Sequence, residues 1–183
     1  YYFTAAVTLG APHRKLGFTV PTGNFGDIFA GHVARSMGLP IDRLVIATNV
    51  NDILDRTLKT GRYEMKGVTP SSSPSMDIQV SSNFERLLFD AYDRNPQAVR
   101  ALMASLAQSR RFAMSPKALS DIRANFTADR ADEEEVAATI RTVLRETGQF
   151  VDPHTAVGIA VAEKEARDPA IPMVVLSTAH AAK

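Results

Sequence analysis

The chain of 183 residues is 45% hydrophobic and 22% charged, with a formal net charge of +1, enough to bury a core as one domain or to form part of a larger one. Near-neutral charge gives no electrostatic reason to expect nucleic acid or an anionic membrane as a partner, and no apolar run has the length of a bilayer-spanning helix or the pattern of a signal peptide. The absence of cysteine excludes disulfides and thiolate chemistry and is compatible with the cytoplasm.

Tyr1-Tyr2-Phe3-Thr4-Ala5-Ala6-Val7 reads as the last turns of an apolar helix ending at Gly10, with Pro12 beyond it, and so apolar a helix is normally clothed by neighbours. Leu16 to Val20 is an apolar strand that enters a glycine-bearing turn, Thr22-Gly23-Asn24-Phe25-Gly26-Asp27. A helix over 28–37 follows, with Ile28, Phe29, Val33 and Met37 as its apolar stripe and Gly38 and Pro40 as its stop. Leu44-Val45-Ile46-Ala47 is a short continuous apolar run, best read as a buried parallel strand that completes a βαβ unit. The Thr22 loop and the Asn49-Val50-Asn51-Asp52 loop then share the edge at which open α/β sheets bind ligands.

Lys59 and Lys66 flank what reads as an exposed Thr60-Gly61-Arg62 turn, and a solvated surface lysine is the default for each. The Ser- and Pro-rich stretch 67–75 is by composition a flexible connection before it is a binding loop. Helices are expected over 82–92, 96–108, 116–123 and 132–147; the last carries four acidic residues at its start and Arg141 and Arg145 near its end, the charge order a helix dipole favours. That acidic run is read as a solvated helix start, and no metal is assigned. Asp152-Pro153 caps a helix over 154–164 whose Ala156, Val157, Ala160 and Val161 suit packing on a sheet; His154 could touch an active site, but is read first as the polar punctuation common at helix starts. Met173 to Leu176 reads as a buried strand. His13, His32 and His180 match no metal or triad spacing, and there are no repeats.

The turn at 22–27 is the feature with chemistry in it. Gly23 and Gly26 permit positive φ and leave no side chain between main chain and anion, and the helix adds the positive end of its dipole. The spacing matches neither G-x-G-x-x-G nor the P-loop, which lowers the case for NAD and ATP. Taken alone, it is equally an ordinary βα connection.

The wording goes further. Val20-Pro21-Thr22-Gly23-Asn24-Phe25-Gly26-Asp27, then Ala30-Gly31 and Ala47-Thr48-Asn49-Val50-Asn51-Asp52, resembles threonine synthase, a fold-type II pyridoxal-phosphate enzyme. Ser75-Met76-Asp77-Ile78, Ser82-Asn83-Phe84-Glu85-Arg86, Asp152-Pro153-His154-Thr155-Ala156-Val157 and Ser177-Thr178-Ala179-His180 agree in the family's order, with Ala181 where the family usually has Pro. The resemblance implies an α/β fold, the βαβ-containing part of a tryptophan synthase β-like enzyme with helical C-terminal segments, and makes residues 1–183 the C-terminal portion of a longer catalytic domain.

By that resemblance, Thr22, Gly23, Asn24, Phe25, Gly26 and Asp27 hold the phosphate of pyridoxal phosphate, and the hydroxyl of Thr178, with Ser177 as the fallback, meets the pyridine nitrogen. The implied substrate is O-phospho-L-homoserine, and the implied partner is the remainder of the same enzyme chain. The family's Schiff-base lysine belongs to an upstream Ser-Phe-Lys-Asp type segment; none of Lys15, Lys59, Lys66, Lys117, Lys164 and Lys183 has that context, so no catalytic residue is assigned and the isolated chain is expected to be inactive. Two alternatives remain: another fold-type II lyase, a dehydratase or phospholyase, and a non-catalytic phosphate-binding module.

Overall fold

Four parallel strands order as β5-β2-β1-β6 in this computed structural model, which describes residues 1–166 and 168–182. They are β1 (Leu16–Pro21), β2 (Ile41–Thr48), β5 (Phe126–Arg130) and β6 (Met173–Val175). β1 and β2 enclose α2 (Gly26–Ser36), giving the expected βαβ unit, with Phe18 beside Leu44 and Val20 beside Ile46 in register. A two-stranded antiparallel ribbon joins β3 (Arg62–Glu64) to β4 (Arg111–Ala113), where Tyr63 stacks on Phe112 with ring centroids 4.9 Å apart.

Period-two alternation sends the strand side chains to two cores. Leu16, Phe18 and Val20 of β1 and Leu44 and Ile46 of β2 join one cluster with α1 (Tyr2–Thr8), α2, α3 (Ile53–Thr60) and α4 (Phe84–Ala91). Val45 and Ala47 face the other, built on Val136 of α7 (Glu133–Thr147) and on Ala156, Val157, Ala160 and Val161 of α8 (Pro153–Lys164). Each fully buried Leu or Phe contributes about 1.5–3 kcal/mol. α6 (Pro116–Arg123) adds Ile122 to the first core, and α5 (Pro96–Ser109) packs against it through Leu102, Met103 and Leu106.

The structure corrects several expectations. α2 turns Ile28, Gly31 and Ala34 inward, while Val33 and Met37 are 41% and 70% exposed. Small residues face the sheet because the approach is close: a Cβ on Gly31 would lie 2.8 Å from both Leu44 Cδ2 and the Tyr2 ring. In α1, Tyr2 and Ala6 are buried and Ala5 packs partly against the core, while Phe3 and Val7 are exposed. The Thr60-Gly61-Arg62 turn is not exposed at its centre, since Gly61 is buried and caps α3 at φ 74°. Lys59 is paired with the buried Asp55 at 2.8 Å and with Asp129 at 3.4 Å. β6 is an edge strand and half-buried, and the chain's second half carries β4, β5 and β6 among its helices.

At α7 the acidic start is a capping box: Glu135 N–H donates to Asp132 Oδ1 and Asp132 N–H to Glu135 Oε2, both at 2.9 Å. The 67–75 stretch is pinned. Asp77 Oδ1 accepts from Asn49 Nδ2 (2.8 Å), Asn51 Nδ2 (2.9 Å) and Ser71 Oγ (2.6 Å), and its Oδ2 accepts from Ser71 N–H (2.8 Å). Two asparagines at the end of β2 thereby moor the loop across the sheet edge.

Candidate functional site

A cleft of roughly 270 Å³ opens at the carboxyl ends of β1 and β6. Residues 21–28 form one wall, Ser75 and Met76 a second, and His154, Thr178 and Ala179 a third. All of Thr22, Gly23, Asn24, Phe25, Gly26, Asp27 and Thr178 therefore lie on one cavity, although more than 150 residues of sequence separate its ends.

The carbonyls of the turn are engaged on the side of residues 81–83. Gly23 C=O accepts from Ser81 Oγ at 2.6 Å, and Asn24 C=O accepts from Asn83 N–H at 3.0 Å and Asn83 Nδ2 at 2.9 Å. In a trans peptide, C=O and the following N–H point in opposite directions. The Asn24 and Phe25 N–H groups are thus turned away from 81–83, toward the cleft side. Thr22 is spent internally, its N–H on Ala47 C=O (2.8 Å) and its hydroxyl on Val20 C=O (2.6 Å).

α2 begins at Gly26 with no side chain capping it, so its first N–H groups add donors and the positive end of the helix dipole. Asp27 stands in that first turn, but its Oδ1 accepts from Tyr1 OH at 3.2 Å. Burial and then the Asp27 charge push the Tyr1 phenol up to about 12, keeping it protonated as that donor.

The backbone geometry differs from the sequence expectation at the glycines. Positive φ belongs to Phe25, at 68°, and not to Gly23 or Gly26. A left-handed non-glycine residue costs about 1–2 kcal/mol, which the Phe25 ring offsets from inside the core, 5.2 Å from Phe84 and 6.1 Å from Phe126 between centroids. Gly23 is needed for space: a Cβ there would meet Ser75 O at 2.7 Å.

His154 is more than punctuation. It is 3% exposed and lines the cleft. Its Nδ1 lies 2.8 Å from Asp152 Oδ1, and Ser75 N–H donates to its Nε2 at 3.3 Å. Asp152, itself buried, caps α8 through His154 N–H (2.8 Å) and Thr155 N–H (3.3 Å), and accepts from the Thr155 hydroxyl. Burial alone would raise the Asp152 carboxyl; hydrogen bonds from Thr155 and His154 outweigh it and hold the group below the ordinary carboxylate range. Thr155 Oγ1 is also 3.4 Å from Ser177 Oγ. Ser177 is thus tied to α8, and Thr178, not Ser177, is among the residues that line the cleft.

Asn49 and Asn51, expected at the ligand edge, stand behind the Ser75 wall and not on the cleft. No lysine lines it among the described residues, and Lys183 lies outside them. Lys15 pairs with Asp42, Lys117 with Asp93 and Asp121, and Lys164 with Glu135, while Lys66 is exposed. Among the described residues, no group of three or more His, Asp or Glu side chains is placed to hold a metal ion.

The family model described as threonine synthase, C-terminal, matches residues 155–183. A threonine synthase of Pseudomonas aeruginosa is 49% identical over the whole chain, and the crystal structure of the PLP-bound threonine synthase of Brucella melitensis superposes with a TM-score of 0.97 at 61% identity over the whole chain. Over its whole length the chain is similar to threonine synthases. It spans 39% of the length of each of these two relatives. The crystal structure of a T.th. threonine deaminase aligns over 96% of the chain and 48% of its own length, with a TM-score of 0.57 at 15% identity, a likeness of fold alone. Threonine synthase and threonine deaminase thus share the parallel sheet, and the sequence separates them.

Proposed function

We propose that residues 1–183 are the C-terminal portion of a pyridoxal-phosphate-dependent threonine synthase that converts O-phospho-L-homoserine and water into L-threonine and phosphate, with the Schiff-base lysine supplied by the rest of the same enzyme chain. The observation that carries this reading is the convergence of the uncapped α2 start, the Asn24 and Phe25 N–H groups turned away from 81–83, and Thr178 on one cleft. The donor set fits a phosphate monoester, which accepts several N–H bonds at once and gains from a helix N-terminus. Similarity to threonine synthases at 49–61% identity favours this activity over a dehydratase or phospholyase and over a non-catalytic module.

In this reading, the N–H groups of Asn24 and Phe25 and those at the start of α2 hold the cofactor phosphate and Thr178 hydrogen-bonds the ring nitrogen. When bound, pyridoxal phosphate supplies an electron-withdrawing ring that stabilises carbanions on the substrate. The chain's own residues orient it. Phe25 fixes the turn from the core, Asp27 is held aside by Tyr1, and Ser75 and Met76 close the second wall. A cytoplasmic location belongs to the same reading.

The test is the full-length protein with pyridoxal phosphate and O-phospho-L-homoserine. Equal amounts of threonine and phosphate are expected; phosphate with a 2-oxo acid and ammonia in place of threonine assigns the phospholyase alternative.

A further inference from the structure

We infer that His154 is a positioning residue that clamps two walls of the cleft to one another, an inference that rests on the cofactor reading above. The Asp152 carboxylate has only lone pairs to offer and faces four donors: His154 N–H, Thr155 N–H, the Thr155 hydroxyl and His154 Nδ1. The Nδ1 proton is therefore committed to Asp152, and Nε2 is left as a bare acceptor. That lone pair receives the Ser75 N–H. Ser75 is also the residue whose carbonyl oxygen crowds Gly23, so the imidazole sets how closely the second wall approaches the glycine turn.

The other end of the relay runs through Thr155 to Ser177, the neighbour of Thr178. One buried carboxylate at the start of α8 thus fixes a histidine tautomer, and the histidine and threonine beside it tether Ser75 and Ser177. Sequence alone marks Asp152 as a cap and gives no sign that the residue two positions on reaches back across 79 residues.

The two amide side chains divide the imidazole's work. Glutamine at 154 carries an acceptor to the Nε2 position, whereas asparagine carries a donor to the Nδ1 position. In the full-length apo protein, His154→Asn should speed deuterium exchange at the Ser75 amide, and in the holoprotein weaken pyridoxal phosphate, each about ten-fold, as expected for one lost buried hydrogen bond. His154→Gln should restore both to within about three-fold of wild type.

A merely structural role predicts equal behaviour of the two variants, with affinity following melting temperature, and that result overturns the clamp. Nitrogen NMR of histidine-labelled wild-type protein tests it without mutation: Nδ1 protonated with Nε2 bare supports the clamp, and the reverse tautomer overturns it. If the exchange difference between variants is present but wild type binds no pyridoxal phosphate, the clamp stands and the cofactor reading falls.

Discussion

Gly23 and Ser75 approach so closely that a Cβ on the glycine would lie 2.7 Å from the Ser75 carbonyl oxygen and 3.4 Å from Met76 Cα. Backbone cannot swing aside as a flexible side chain can, so Gly23→Ala must push the second wall outward or distort the turn. A cost of about 1–3 kcal/mol in stability is expected, with at least ten-fold weaker pyridoxal phosphate binding in the full-length protein. Gly26 is different: its Cβ would meet only Asn83 Nδ2, at 3.6 Å. Gly26→Ala should keep the wild-type melting temperature, so any affinity it loses reports occupation of the phosphate site. Denaturation and cofactor titration of both variants provide the check.

Thr178 lines the cleft and Ser177 is held by Thr155. Thr178→Val should slow turnover by roughly ten-fold, the equivalent of about 1.4 kcal/mol for a hydroxyl that stabilises the ring in the transition state. Ser177→Ala should have a smaller effect. Steady-state kinetics of the two variants decide; the reverse ranking would assign the ring nitrogen to Ser177.

Asp77 gathers Asn49, Asn51 and Ser71 through four hydrogen bonds. Asp77→Ala removes an acceptor from partly buried donors, a loss of about 2–4 kcal/mol. The stretch around 67–77 should resist proteolysis in wild type and become a cleavage site in the variant. Equal resistance would show that the loop is held by something other than Asp77.

Asp152 has a folded-state pKa below its ordinary value of 3.8. A depressed acid stabilises the fold above its unfolded pKa, and that contribution is lost as pH falls through the folded value. Asp152→Asn should therefore destabilise the protein at neutral pH, and the gap to wild type should narrow progressively below about pH 4. Urea denaturation across the acid range measures it.

The strand, turn and helix of 16–36 are legible in the sequence because local chemistry fixes each part: apolar run, glycine turn, and a helix free of proline until Pro40. β3 and β4 are not, since three-residue strands whose pairing depends on Tyr63 meeting Phe112 have no local signature. β5 is hidden by the polar Thr127, Asp129 and Arg130 of an edge strand. In the cleft, Thr22 to Asp27 can be read from residue type, but the left-handed Phe25 cannot, because its strain is held by rings from α4 and β5. His154 escapes a local reading for the same reason: its partner Ser75 is brought to it only by the fold.

The most direct measurement is a crystal structure of the full-length protein with pyridoxal phosphate. The phosphate is expected against the N–H groups of Asn24 and Phe25 and the start of α2, the ring nitrogen at Thr178, and the covalently attached lysine outside residues 1–183. A phosphate bound elsewhere, or a cofactor joined to one of this chain's own lysines, would contradict the account.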